Sequence, residues 1–233
     1  MIGKYRVLEQ IGEGGMATVF KAYDTQLERE VAIKMIRASA FPLEGLQNVL
    51  KRFEREAKAL ARLSHTHIIS VIDYGELEGS PSLVMTYQPG GTLKQVMGFP
   101  MPWQQAARLL LPVARALEYA HQQGILHRDV KPSNILITQS GDPLLSDFGL
   151  AKILEIGEGH TLTASGISLG TPEYMAPEQG MGRDVDGRAD LYALGVVLFE
   201  LITGKKPFTA DTPMAVIFKH NSEPLPSPLD VPP

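Results

Sequence analysis

The sequence contains no cysteine in its 233 residues. Disulfide staples, thiolate nucleophiles and cysteine-ligated zinc are thereby excluded. It also lacks any apolar run approaching the ~18–20 residues of a membrane-spanning helix. The densest stretch, LGVVLFELI (194–202), is interrupted by Glu200. The opening MIGKYRVLEQ is charged from Lys4 onward and has no apolar signal-peptide core. Nor is there an excess of positive charge. The 22 Lys and Arg against 26 Asp and Glu give a net charge of −4, so nothing points to nucleic acid as the main partner. No internal repeat is visible. What is present is ordinary globular usage, 44% apolar and 21% charged. The expectation is a soluble, cytoplasmic chain of one large or two small domains, although a longer parent could be membrane-tethered.

Periodicity divides the chain. YRVLEQIG (5–12), ATVFKAYD (17–24) and EVAIKMI (30–36) read as strands. In the third, Val31, Ile33 and Met35 share one face, and Ala32, Lys34 and Ile36 the other. Residues 48–64 change to helical spacing, with Leu50, Phe53, Ala57, Leu60 and Ala61 in phase. Strand-like runs return at 67–74 and 82–87, and Pro-Gly-Gly (89–91) marks a loop. Helices are predicted over 103–123, with a kink at Pro112, over 188–203 as a strongly amphipathic element, and over about 211–220. The final SEPLPSPLDVPP holds five prolines in twelve residues and reads as an extended or disordered tail.

Lys34 sits in an apolar strand, and a buried ammonium needs a counter-charge. Glu56 lies on or beside the apolar face of the 48–64 helix and has the converse need. The two satisfy each other or share an anionic ligand; alternatively Lys34 extends to solvent from an edge strand and Glu56 lies off the stripe. In GEGGMA (12–17), Gly12, Gly14 and Gly15 let backbone amides approach a ligand closely. A hairpin turn would look similar. A dinucleotide fingerprint needs a helix directly afterwards, whereas ATVF follows. The other reading is a loop folded over phosphates, with Val19 and Ala32 offering apolar walls to a flat base.

HRDVKPSNIL (127–136) packs Asp129, Lys131 and Asn134 around Pro132. An Asp can accept a hydroxyl proton, a Lys can balance phosphate charge, and an Asn oxygen can ligate a hard cation. A loop of solvated charges is the simpler alternative. Asp147 in LSDFGLA (145–151) is a common kind of turn residue, but with Asn134 it can complete an oxygen site for magnesium. GTPEYMAPEQ (170–179) predicts an ordered irregular segment of the kind that carries function.

In this order, the motifs resemble the eukaryotic-type (Hanks-type) serine/threonine protein kinases, in their bacterial branch, from Tyr5 to about His220. The resemblance implies an α+β, two-lobed fold: a β-rich lobe over 1–86, a mainly helical lobe over 87–221 and a tail over 222–233. It implies transfer of the γ-phosphoryl group of ATP, with Mg2+, to protein hydroxyls. By that match Lys34 holds the α- and β-phosphates and Glu56 orients Lys34. Asp129 accepts the substrate proton, Lys131 sits on the γ-phosphate, and Asn134 and Asp147 hold magnesium. Ile11, Gly12, Gly14, Val19, Ala32, Met85 (the gatekeeper), Tyr87 in the hinge and Leu136 surround the nucleotide. Thr171 selects the substrate hydroxyl. Ile72, Leu60, Phe148 and His127 form an internal stack tied at its base by Asp190. Arg128 would receive a phosphate on Thr163, or on Thr161 or Ser165, placed there by autophosphorylation between self-associating copies.

The sequence departs from the pattern at Ala17, at Thr86, and near its C-terminus. The family's second lobe continues with further helices, one bearing an Arg that pairs with Glu178, and no Arg follows Arg188. The expectation is an incomplete second lobe with exposed apolar surface, in a fragment of a longer protein or a truncated one. A nucleotide-binding or interaction module with little activity is the competing reading. A dinucleotide-dependent oxidoreductase would rest on the glycines alone.

Overall fold

The computed structural model describes residues 3–14, 17–37, 43–77, 79–148 and 171–229. Five strands form one antiparallel sheet in the order β1-β2-β3-β5-β4: β1 (Tyr5–Glu13), β2 (Ala17–Asp24), β3 (Arg29–Ile36), β4 (Val71–Leu77) and β5 (Ser80–Thr86). Helix α1 (Leu43–Leu60) lies between β3 and β4 in sequence. The helical part holds α2 (Leu93–Val96), α3 (Trp103–Gln122), α4 (Pro177–Gly180), α5 (Gly187–Thr203) and α6 (Pro213–Ser222). A short hairpin of β6 (Ile135–Ile137) and β7 (Pro143–Leu145) completes it.

Side-chain alternation in β3 gives the sheet two working faces. Val31 and Ile33 bury against Tyr5, Ala22 and Val84 on one side, where Met35 joins them. Ile36 on the other side enters the main core with Leu83, Met85, Phe53 and Leu60. The register aligns Gly12 with Val19, Val19 with Lys34, and Lys34 with Leu83. Ala32 is likewise opposite Met85, and Met85 opposite Val71. Lys34 and the end of the glycine-rich strand therefore lie in one row across the sheet.

Several expectations shift. The strand expected over 67–74 begins only at Val71. The backbone before it is engaged elsewhere: Leu145 N donates to His67 O and Ile69 N to Leu145 O, both at 2.9 Å. The helix expected over 103–123 forms as α3, with Pro112 inside it. Helix α5 is not amphipathic but buried over most of its circumference, through Ala189, Asp190, Ala193, Leu194, Val196, Val197, Phe199 and Leu201. Asp186 caps its start by accepting from Arg188 N, and Gly204, at φ 71°, ends it in a left-handed turn. Exposed apolar side chains on the helical part include Leu191, Met214 and Phe218. No helix among the described residues is long and apolar enough to cross a membrane.

The segment after β5 is pinned against the β6–β7 hairpin. Ile137 N donates to Gly91 O at 2.9 Å, and a Cβ on Gly90 would stand 2.3 Å from Ile137 O. Backbone cannot yield as a side chain would. Gly90→Ala should therefore cost roughly 1–3 kcal/mol, and each kcal/mol should lower the midpoint of thermal unfolding by about 2–4 °C. Circular dichroism melts check this; an unchanged midpoint would show that the contact is not tight.

Candidate active site

The site is built where the sheet meets the two loops that flank β6 and β7. His127 is fully buried beneath them. Its Nε2 donates to Ser146 O at 2.8 Å, and its Nδ1 accepts from Asp129 N at 3.2 Å. Burial pushes the imidazole pKa down, against the opposing pull of the Asp190 carboxylate. Asp190 is itself 1% exposed. It accepts from His127 N at 2.9 Å, Arg128 N at 2.7 Å and His121 Nε2 at 2.7 Å. One buried carboxylate on α5 thus fixes the backbone just ahead of Asp129.

Asp129, Lys131, Asn134 and Thr171 form one cluster. Lys131 Nζ is 2.7 Å from Asp129 Oδ2 and donates to Thr171 Oγ1 at 3.0 Å. Asn134 Nδ2 donates to Asp129 O at 2.8 Å and to Asp129 Oδ2 at 3.0 Å. The turn Pro132–Asn134 makes this geometry local. Ser146 N, one residue before Asp147, donates to Asn134 O at 2.9 Å, so the two loops are joined by backbone.

Asp147 adopts φ 65°, a left-handed conformation unusual for a residue with a side chain. Its Oδ1 is 2.8 Å from Lys34 Nζ. Burial opposes ionisation of this carboxyl, but the charge and hydrogen bond of Lys34, helped by the Lys131 charge, outweigh it and hold the pKa below the usual range. Phe148 packs on His127 with ring centroids 4.6 Å apart. A small cavity bounded by Leu60, Val71, Met85, Asp147 and Phe148 lies behind the ion pair.

Two expectations are corrected. Lys34 pairs with Asp147, while Glu56 pairs with its neighbour Arg55, with Arg55 Nη2 2.9 Å from Glu56 Oε1. The counter-charge that a buried ammonium needs comes from the far loop, and among the described residues no Lys34–Glu56 ion pair forms. The internal stack contains Leu60, Phe148 and His127, but Val71 takes the place given to Ile72. Val71 is opposite Met85 in the ladder and so shares its face, whereas Ile72 packs on the other face with Tyr5 and Ile33. Sequence alternation could have signalled this once the register with β5 was known.

The remaining expected positions are distributed as follows. Ile11, Gly12 and Val19 lie on β1 and β2, Ala32 on β3 and Leu136 on β6; Gly14 follows β1. Tyr87 directly follows β5, and Lys21 Nζ lies 4.5 Å from its ring centroid. Glu13, beside Gly12 and Gly14, forms an ion pair with Arg37, which also donates to Thr18 Oγ1 at 3.2 Å. Thr161, Thr163 and Ser165 lie outside the described residues. Among the described residues no cluster of three or more His, Asp or Glu gathers as a metal site. The sequence reading missed His121, which donates to Asp190, and Gln179, which donates to Arg128 O just ahead of Asp129.

The protein kinase domain profile matches residues 5–227. The serine/threonine-protein kinase PksC of Streptomyces coelicolor is 42% identical over 231 residues, which cover 95% of this chain and 41% of that protein. Serine/threonine-protein kinase PknB of Mycobacterium leprae is 40% identical over 230 residues, covering 96% of this chain and 36% of that one. The chain thus spans about two-fifths of the length of these curated relatives. The crystal structure of the Mycobacterium tuberculosis PknI kinase domain superposes with a TM-score of 0.71 at 34% identity, over 90% of this chain and 77% of that one. With the lobes, the loop carrying Asp129 and the Lys34–Asp147 pair arranged as described, the chain belongs to the protein kinase domain family.

Proposed function

We propose that this chain catalyses transfer of the γ-phosphoryl group of ATP to serine or threonine hydroxyls of proteins. The observation that carries the reading is the convergence of Lys34 on Asp147, with the Asp129–Lys131–Asn134–Thr171 cluster one backbone hydrogen bond away. The relatives' names as serine/threonine kinases support it.

The donor set suits magnesium. Asn134 uses its Nδ2 on Asp129, which leaves Oδ1 as its remaining acceptor. Asp147 stays ionised. An amide oxygen and a carboxylate are the hard donors this cation prefers, and it takes few protein ligands when phosphates complete its shell. When bound, the Mg–ATP complex supplies the phosphoryl group and neutralises its developing charge. The chain's own residues do the rest. Asp129 accepts the proton of the attacking hydroxyl, in a carboxylate orientation fixed by Asn134 and Lys131. Lys131 shares its ammonium between Asp129 and Thr171, so it sits where negative charge on a transferring group would gather. Lys34 grips the nucleotide's phosphates. Thr171 faces the acceptor side. Ile11, Val19, Ala32, Met85 and Leu136 enclose the base, and the backbone beside Tyr87 bonds it. The boundaries 1–86 and 87–221 are read as the two lobes that close on the cleft. Thr163, with Thr161 and Ser165 as alternates, is the proposed acceptor in autophosphorylation between copies.

Incubation with labelled ATP and a mixture of protein acceptors tests the reaction. Wild type should transfer phosphate to Ser and Thr. Asp129→Asn should abolish transfer, and Lys34→Met should lower it roughly a hundredfold; near wild-type rates in Asp129→Asn would remove the reading. A thermal upshift with Mg–ATP but no transfer would favour the binding-module alternative.

Lys34→Met has a second, ligand-free signature. The Lys34 charge keeps the Asp147 pKa low in the folded chain. Its contribution to stability is therefore present above the unfolded carboxyl pKa of ~3.9 and is lost as pH falls through the lower folded value. In the variant Asp147 has lost its main counter-charge and protonates more readily. The stability gap between wild type and variant should be widest at neutral pH and should close as pH falls through the lowered Asp147 pKa of the wild type, as urea unfolding across pH will measure.

Mass spectrometry after incubation with ATP locates the phosphosites. Phosphate on Thr163, Thr161 or Ser165 is expected; an unmodified 149–170 segment in an active sample ends that part of the proposal.

A further inference from the structure

Gln179 lies in α4, at the end of the segment that begins with Thr171, and its side chain joins two parts of the site. Its Oε1 accepts from Ala176 N at 3.1 Å, and its Nε2 donates to Arg128 O at 3.0 Å. The first bond fixes the second. A backbone N–H requires the amide oxygen, so the NH2 end must face Arg128.

Arg128 is itself unusual. Its φ of 67° is left-handed, which is costly for a residue with a Cβ and persists only where neighbours enforce it. Asp190 Oδ1 holds its N–H at 2.7 Å. Its carbonyl belongs to the peptide plane that leads into Asp129. The other end of that plane is Asp129 N–H, held by His127 Nδ1 at 3.2 Å. The plane is thus gripped at both ends, by Gln179 at the oxygen and by His127 at the nitrogen.

We propose that Gln179 is a positioning residue for the phosphoryl transfer: it locks the peptide plane that aims the Asp129 carboxylate and couples that aim to the segment carrying Thr171. The segment 171–179 then meets the catalytic loop at two points, Thr171 on Lys131 and Gln179 on Arg128. Displacement on the acceptor side is transmitted to Asp129 through hydrogen bonds. This inference rests on the reading of Asp129 as the proton acceptor.

Two variants of the whole chain test it. Gln179→Glu keeps an oxygen for Ala176 N–H but cannot donate to Arg128 when ionised; Gln179→Met keeps the volume and loses both bonds. For both, kcat for peptide phosphorylation should fall on the order of ten- to a hundredfold. KM for ATP should stay within about twofold, and the unfolding midpoint within about 2 °C. Amide exchange at Asp129 should quicken in both. Wild-type kcat in folded Gln179→Glu overturns the proposal, as does a loss of kcat matched by an equal rise in KM for ATP, which marks general loosening. Asp129→Asn runs alongside. If it retains activity, or if wild type transfers nothing, the kinase reading falls and takes this inference with it. If it is inactive and the Gln179 variants are not, only the positioning role falls.

Discussion

A single buried carboxylate organises the loop that carries Asp129. Asp190 sits in the most enclosed helix, where an ionised group is tolerable only if its lone pairs are satisfied. Two backbone N–H groups and the His121 ring satisfy them. Those two amides belong to His127 and Arg128, so satisfying the carboxylate and shaping the loop are the same event. His127 then extends the order upward through Ser146 and Phe148, and so fixes the strand end from which Asp147 projects. Without that charge in the core, neither the turn at Arg128 nor the alignment of Asp129 would have a reason to persist.

The Lys34–Asp147 pair is the second constraint, and it crosses from sheet to helical part. Lys34 lies on the face of β3 that looks toward the core, with Ala32 and Ile36 as neighbours on that face. An ammonium there must find an anion. The sequence offered Glu56 as that anion, and the folded chain takes Asp147 instead, with Glu56 beside Arg55. The glycine-rich strand end is placed by register with Lys34, and Glu13 ties it to Arg37 at the end of β3.

Much of this was legible in the sequence because the signals were local. Alternation in 30–36 predicted both faces of β3. The run from Asp129 to Asn134 contains its own turn, so its cluster could be read without tertiary knowledge. The failures involve partners far apart in the chain. Choosing Ile72 over Val71 required the register between β4 and β5, which a strand's own residues do not encode. The late start of β4 depended on His67 and Ile69 bonding to Leu145. Lys34 was matched with Glu56, and only packing reveals that Asp147 is the anion it meets. Gln179 was overlooked because a glutamine beside a proline-rich segment carries no periodic or charge signal; its meaning comes from the left-handed turn at Arg128, about fifty residues earlier.

The two ends of α5 set its phase as well as its length. Asp186 fixes where the first turn starts, and Asp190 falls four residues later, on the side facing the loop. Each added or deleted residue between them would swing the carboxylate by about 100° around the helix axis. Four intervals of backbone therefore act as an indexing gear for the whole centre: a frame of one more or one fewer would aim the acid at the wrong wall.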